Sequence, residues 1–106
     1  MAWLILLVAG LFEIAWAVGL KLTDGFRRPG MSAATVAGMA LSFVLLAAAM
    51  RSIPMGTAYA VWTGIGTAGT AILGIAYFGE SADWPRLACV TMILAGIVGL
   101  KLVSPR

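Results

Sequence analysis

Histidine is absent from this 106-residue sequence, and cysteine occurs once, at Cys89. A single thiol excludes an intrachain disulfide. Without histidine, a Cys/His metal site or a Cys–His catalytic pair has no raw material, so no metal site is expected. Cys89 stands among apolar residues, where a thiol behaves as a small hydrophobe. Charge is scarce as well: 10% of the residues are charged, where soluble domains carry about 25%. That is too little to cover a water-facing surface. The seven basic residues, Lys21, Arg27, Arg28, Arg51, Arg86, Lys101 and Arg106, are scattered singly or in one pair. The net charge of +3 therefore reads as anchors at helix ends, not as a nucleic-acid patch.

What fills the chain is apolar. Hydrophobic residues make up 62% of it, with a mean hydropathy of +1.05, and lipid is the expected solvent. Four apolar runs predict transmembrane helices over about 2–22, 32–50, 55–78 and 86–103, leaving no room for a second, soluble domain in 1–106. Each run is far too long for a barrel strand of about 9–11 residues. Lys21 to Gly30 is a polar loop with turn residues, Ser32 is a candidate N-cap, Arg51 to Pro54 breaks the second helix, and Pro85 suits the first turn of the last. Trp3, Tyr77 and Trp84 lie near run ends, as interfacial aromatics do. The small residues at Ala15-Trp16-Ala17 resemble a signal-peptidase site. A basic n-region is missing and Glu13 interrupts the run, so the segment is expected to stay as a span.

Four spans put both termini on one side. That side holds Arg51, Lys101 and Arg106, and the other holds Lys21, Arg27, Arg28 and Arg86, three against four. The positive-inside rule gives no orientation from this balance. Either the rule is weak in so short a chain, or the protein inserts both ways and pairs as an antiparallel dimer.

Glu13 is the exception in the first run. A carboxylate near the bilayer centre costs at least about 2.5–3.5 kcal/mol. On a helical wheel, Leu6, Ala9, Gly10, Trp16, Ala17 and Leu20 fall within about 60° of it. Small residues there let a helix or ligand come close. No basic residue lies at mid-depth in any run. Glu13 can thus stay neutral by holding a proton or ionised by holding a cation from outside, which is the chemistry of exchange. The bland alternative is a protonated glutamic acid that only joins two helices. In the third run Tyr59 and Trp62 share a face, with Gly66 one turn on. They offer O–H and N–H groups to a carboxylate and π-faces to a cation. Tyr59 is equally placed to anchor at the interface. Ser42 can bond back to its own helix or serve the site. Gly64 and Gly66 offer a bend in helix 3. Cys89 and Gly96, seven apart on the last helix, suit a close helix contact.

Together these residues resemble the small multidrug resistance family over essentially the whole chain. The most specific stretch is Gly56-Thr57-Ala58-Tyr59-Ala60-Val61-Trp62-Thr63-Gly64-Ile65-Gly66. The guanidinium-exporter branch is suggested by Gly10-Leu11-Phe12-Glu13-Ile14-Ala15-Trp16, by Ser42 and by Gly96-Ile97-Val98-Gly99-Leu100-Lys101. Exporters of quaternary ammonium drugs have a small residue where Trp16 stands and lack Lys101. The resemblance implies an all-α antiparallel (dual-topology) homodimer in the bacterial cytoplasmic membrane, exchanging protons for guanidinium by alternating access. It needs no cofactor beyond the proton gradient. Glu13 would bind both ions. Trp16, Ser42 and Trp62, with Gly10 beside them, would hold the carboxylate and shape the pocket. Tyr59 would link the site to the conformational change, and helix 4 would pair the chains. Relatives often have glycine at Cys89. Three other readings compete: an exporter of quaternary ammonium compounds, half of a heterodimer, and a lipid-organising subunit without transport.

Overall fold

In the computed structural model residues 1–103 are described. The tail Ser104-Pro105-Arg106, with the loop charge counted at Arg106, lies outside them. The described chain forms four helices: α1 (Ala2–Leu22), α2 (Pro29–Ala49), α3 (Met55–Tyr77) and α4 (Trp84–Val103). All four are long and apolar enough to cross a membrane. At about 1.5 Å per residue each runs roughly 30–35 Å, the thickness of a hydrocarbon core. The protein is an all-α, multi-pass membrane protein.

Helix ends follow local chemistry, and two starts move from their expected places. Helix α2 begins at Pro29 with Arg28 as its extended cap, three residues before the start expected at 32. Ser32 is therefore inside the helix and is not its cap; its amide donates to the Arg28 carbonyl at 2.9 Å. Proline is pre-shaped for a first helical position, where its missing N–H costs nothing. Helix α4 starts at Trp84, with Pro85 in the first turn. The α1–α2 connection turns on three left-handed residues, Asp24, Gly25 and Phe26, at φ 52, 69 and 66°. Thr23 braces it. Its buried hydroxyl donates to the Leu20 carbonyl at 2.7 Å and accepts the Phe26 amide at 3.1 Å.

The helices stand in a flat row, α2–α1–α3–α4, within an envelope of 44 × 35 × 17 Å. Lys101 lies over the Trp3 ring at 5.0 Å and Lys21 over the Phe78 ring at 5.4 Å. The chain's beginning and the end of α4 thus share one end of the row, as four alternating spans require. The core lies towards that end: Leu6 and Ala9 of α1, Leu46 and Ala49 of α2, Ile53, and Ala58, Val61 and Trp62 of α3. One polar bridge crosses it. The Ser42 hydroxyl donates to the Ala9 carbonyl at 2.7 Å and accepts the Trp62 indole N–H at 3.0 Å. The bond back to its own helix foreseen as one option for Ser42 is not what forms, since its hydroxyl reaches Ala9 of α1. By contrast most of α4 is exposed, with Val90 its one buried residue.

Because Ser42 ties α1, α2 and α3 at a buried point, Ser42→Ala leaves the Trp62 N–H unmatched. It is expected to destabilise the chain by about 1 kcal/mol. A thermal unfolding scan in detergent should show a lower midpoint for Ser42→Ala and an unchanged one for exposed Ser52→Ala.

Candidate functional site

Glu13 lies beside the midpoint of α1, and Gly66 stands at the midpoint of α3. The two meet. A Cβ added at Gly66 would collide with the Glu13 carboxyl group. Helix α3 can approach this closely because it is studded with glycine. Gly69 receives the Ile14 side chain, and a Cβ at Gly64 would stand 2.9 Å from Ile97 Cδ1 of α4. The bend expected at Gly64 and Gly66 is not their visible use. Helix α3 runs unbroken through both, and each accepts a side chain from a neighbouring helix.

Glu13 is half-buried, and its Oε1 is buried with no hydrogen-bond partner among the described residues. It opens into a cleft of about 370 Å³ lined by Ala17, Gly66, Thr67, Thr70, Ala71, Glu80 and Arg86. Arg86 is ion-paired with Glu80 across the α3–α4 loop, so the cleft's one cation is engaged away from Glu13. The Thr70 hydroxyl is also buried without a partner among the described residues. Glu80, Arg86, Thr67 and Thr70 were not singled out from the sequence. The readable signal was an acid and a base six apart across a short loop, directly after the glycine-rich helix.

The other anticipated site residues form a second group. Trp16, Phe43, Trp62 and Tyr59 make a chain of rings, with centroids 6.2, 5.8 and 5.5 Å apart in that order. Phe43 links it and was not anticipated. The expected hydrogen bonding of Ser42 and Trp62 to Glu13 is not the arrangement within this chain, because both groups are spent on each other and on Ala9. That bridge still reaches Glu13 through the backbone. In an α-helix the Ala9 carbonyl accepts the Glu13 amide, so Ser42 binds the same carbonyl. Trp16 faces α2, with its Cβ 3.6 Å from where a Gly38 Cβ would stand. It lines a separate cleft with Phe12, Thr35 and Gly38, and its indole N–H is buried without a partner among the described residues. Sixty degrees on the wheel is enough to send Glu13 to α3 and Trp16 to α2. Gly10 is buried against Ile65, where an added Cβ would stand 2.7 Å from Cγ2, so it serves the α1–α3 contact and does not line the carboxylate's cleft. Tyr59 is exposed. Cys89 is exposed, and nothing approaches within 4 Å of a Cβ placed at Gly96. Among the described residues no group of three or more His, Cys, Asp or Glu could hold a metal ion.

An intramembrane carboxylate with a buried oxygen that has no partner among the described residues, in a cleft between spanning helices, marks a candidate functional site in a multi-pass membrane protein. The family model described as Small Multidrug Resistance protein matches residues 1–93. The chain belongs to that family. It is 60% identical over 104 residues to a "Guanidinium exporter" of Yersinia pestis, covering 98% of this chain and 100% of that protein. Proteins of the same name from Escherichia coli and Proteus vulgaris are 59% identical over 102 residues (96% of this chain, 97% of that protein) and 58% identical over 104 residues (98% of this chain, 100% of that protein).

The close approach at Gly66 is directly testable. Overpacking of this kind costs about 1–3 kcal/mol. Gly66→Ala should therefore lower the unfolding temperature in detergent, whereas Gly30→Ala, with open space around its Cβ, should not. Equal midpoints for the two variants would contradict the Glu13–Gly66 contact.

Proposed function

We propose that the protein exports guanidinium and small alkylguanidines across the bacterial cytoplasmic membrane in exchange for protons, by alternating access. Glu13 binds proton and cation in competition. The observation that carries this is the Glu13 carboxyl group itself. It sits at mid-membrane with a buried oxygen unpaired, in a cleft whose arginine is already paired. Such a group needs an exchangeable partner. Guanidinium is planar, weakly hydrated and bears N–H forks that match a carboxylate. The names of the relatives point the same way. No cofactor takes part; the proton gradient supplies the energy.

The working unit is an antiparallel, dual-topology homodimer in which two Glu13 residues share one site. Its contact lies on the exposed face of α4, at Cys89 and Gly96, where small residues permit close packing. The aromatic chain Trp16–Phe43–Trp62–Tyr59 shapes the pocket for a small cation. Trp16 restricts bulky ions, and its free N–H is available to a carboxylate. Ser42 and Trp62 hold the α1 backbone that presents Glu13, and Tyr59 couples occupancy to the switch between access states.

Proteoliposomes with an imposed proton gradient test this. Wild type should take up guanidinium in preference to a tetraalkylammonium ion, and Glu13→Gln should abolish coupled uptake while its unfolding temperature stays near wild type. Coupled transport by Glu13→Gln would overturn the assignment, and preference for the bulky ion would overturn the cargo. Competition also fixes a sign. Lower pH on the loading side fills Glu13 with protons, so the guanidinium concentration for half-maximal uptake should rise as pH falls. A pH-independent value would contradict a shared site.

A further inference from the structure

The cleft that holds Glu13 contains a second carboxylate, Glu80 of the α3–α4 loop, packed against the same helix α3. Glu80 ends at Gly74 of α3, eight residues from Gly66, or about 12 Å along the helix. The left-handed Gly79 (φ 69°) turns the chain back there, and the Glu80 amide donates to the Gly74 carbonyl at 3.1 Å. A Cβ at Gly74 would collide with the Glu80 carboxyl group. Gly66 and Gly74 thus make matching cradles, each filled by a carboxyl group, at the inner and outer ends of one cleft. Between them, one turn from each, lies Thr70, whose hydroxyl is buried without a partner among the described residues. Glu80 already holds a guanidinium group, that of Arg86, and both side chains remain over a third exposed. A tethered copy of the proposed cargo's own functional group occupies the outer carboxylate.

We propose that Glu80 is an outer binding site for guanidinium-type cations on the route to Glu13, that Arg86 fills it when no cargo is present, and that arriving cargo displaces Arg86. The inference rests on guanidinium being the cargo. Exposed ion pairs are weak, so the exchange of one guanidinium for another at Glu80 is easy. The displaced Arg86 swings to water without leaving a buried charge. Thr70 gives the passing cation an acceptor between the two carboxylates. A pair that merely staples the α3–α4 loop has the same geometry but a different signature. Breaking a staple has one effect whichever partner is removed, whereas removing a site and removing its competitor have opposite effects.

Guanidinium uptake by proteoliposomes reads that sign. Glu80→Gln should raise KM about two- to fivefold, the range expected for one exposed charge contact, with a smaller change in maximal rate. Arg86→Met should lower KM by a similar factor, and the double variant should match Glu80→Gln. A rise in KM for both single variants, or no change in either, would overturn the proposal. A second measurement needs neither transport nor loop variants that fold. With 15N-arginine-labelled protein in micelles, the Arg86 Nε–Hε resonance should shift on titration with guanidinium chloride and not with sodium chloride. It should do so in wild type and in Glu13→Gln alike. A resonance that stays in place while wild type transports guanidinium refutes the outer site and leaves the proposed function standing. Absence of transport with the shift present does the reverse.

Discussion

A carboxyl group pressed against glycine at mid-membrane sets the terms for the rest of this structure. Among the described residues Glu13 has no ion-pair partner, and lipid offers no water to replace one. Helix α1 must therefore turn it inward, and the neighbour it meets must make room. Gly66 does so by having no side chain. Neighbouring glycines extend the same logic along α3, taking Ile14 at Gly69, Ile97 at Gly64 and Glu80 at Gly74. That helix is less a wall of the bundle than a surface on which the others rest.

The packing divides the molecule by purpose. Towards the end shared by the first residues and the end of α4, Leu6, Ala9, Leu46, Ala58 and Val61 form a closed core. The Ser42 bridge adds direction to otherwise non-directional apolar contacts. Towards the other end lies the cleft with Glu13, Thr70, Glu80 and Arg86, beside the α1–α3 contacts of Ile14 with Gly69 and Lys21 with Phe78. The bare outer face of α4 is where the proposed second copy would supply what one flat row of helices cannot.

Much of this was legible in the sequence because the bilayer restricts the choices so strongly. Run length and the loss of charge fixed four spans, with starts displaced by three residues at α2 and two at α4, where proline shapes the first turn. Glu13 was legible for the same reason, since one acid in an apolar run has few explanations. Partner choice within the site was not legible. A helical wheel places Trp16 beside Glu13, but two helices flank α1, and 60° decides which of them a side chain meets. Ser42 and Trp62 were expected to bond the Glu13 carboxylate, yet their hydrogens go to a backbone carbonyl and to each other, which no side-chain pattern can announce. Phe43 carries no polar group to draw notice. Glu80 and Arg86 passed as loop charges because their place in the cleft depends on how Gly79 turns the chain.

In the proposed function one group, Glu13, holds either a proton or a guanidinium ion. The most direct measurement is calorimetric titration of purified protein with guanidinium in buffers of differing ionisation enthalpy, which counts the protons released per cation bound. Proton release is expected to accompany binding near neutral pH and to be lost, together with binding, in Glu13→Gln. Guanidinium binding without proton release at any pH, or undiminished binding by Glu13→Gln, would contradict it.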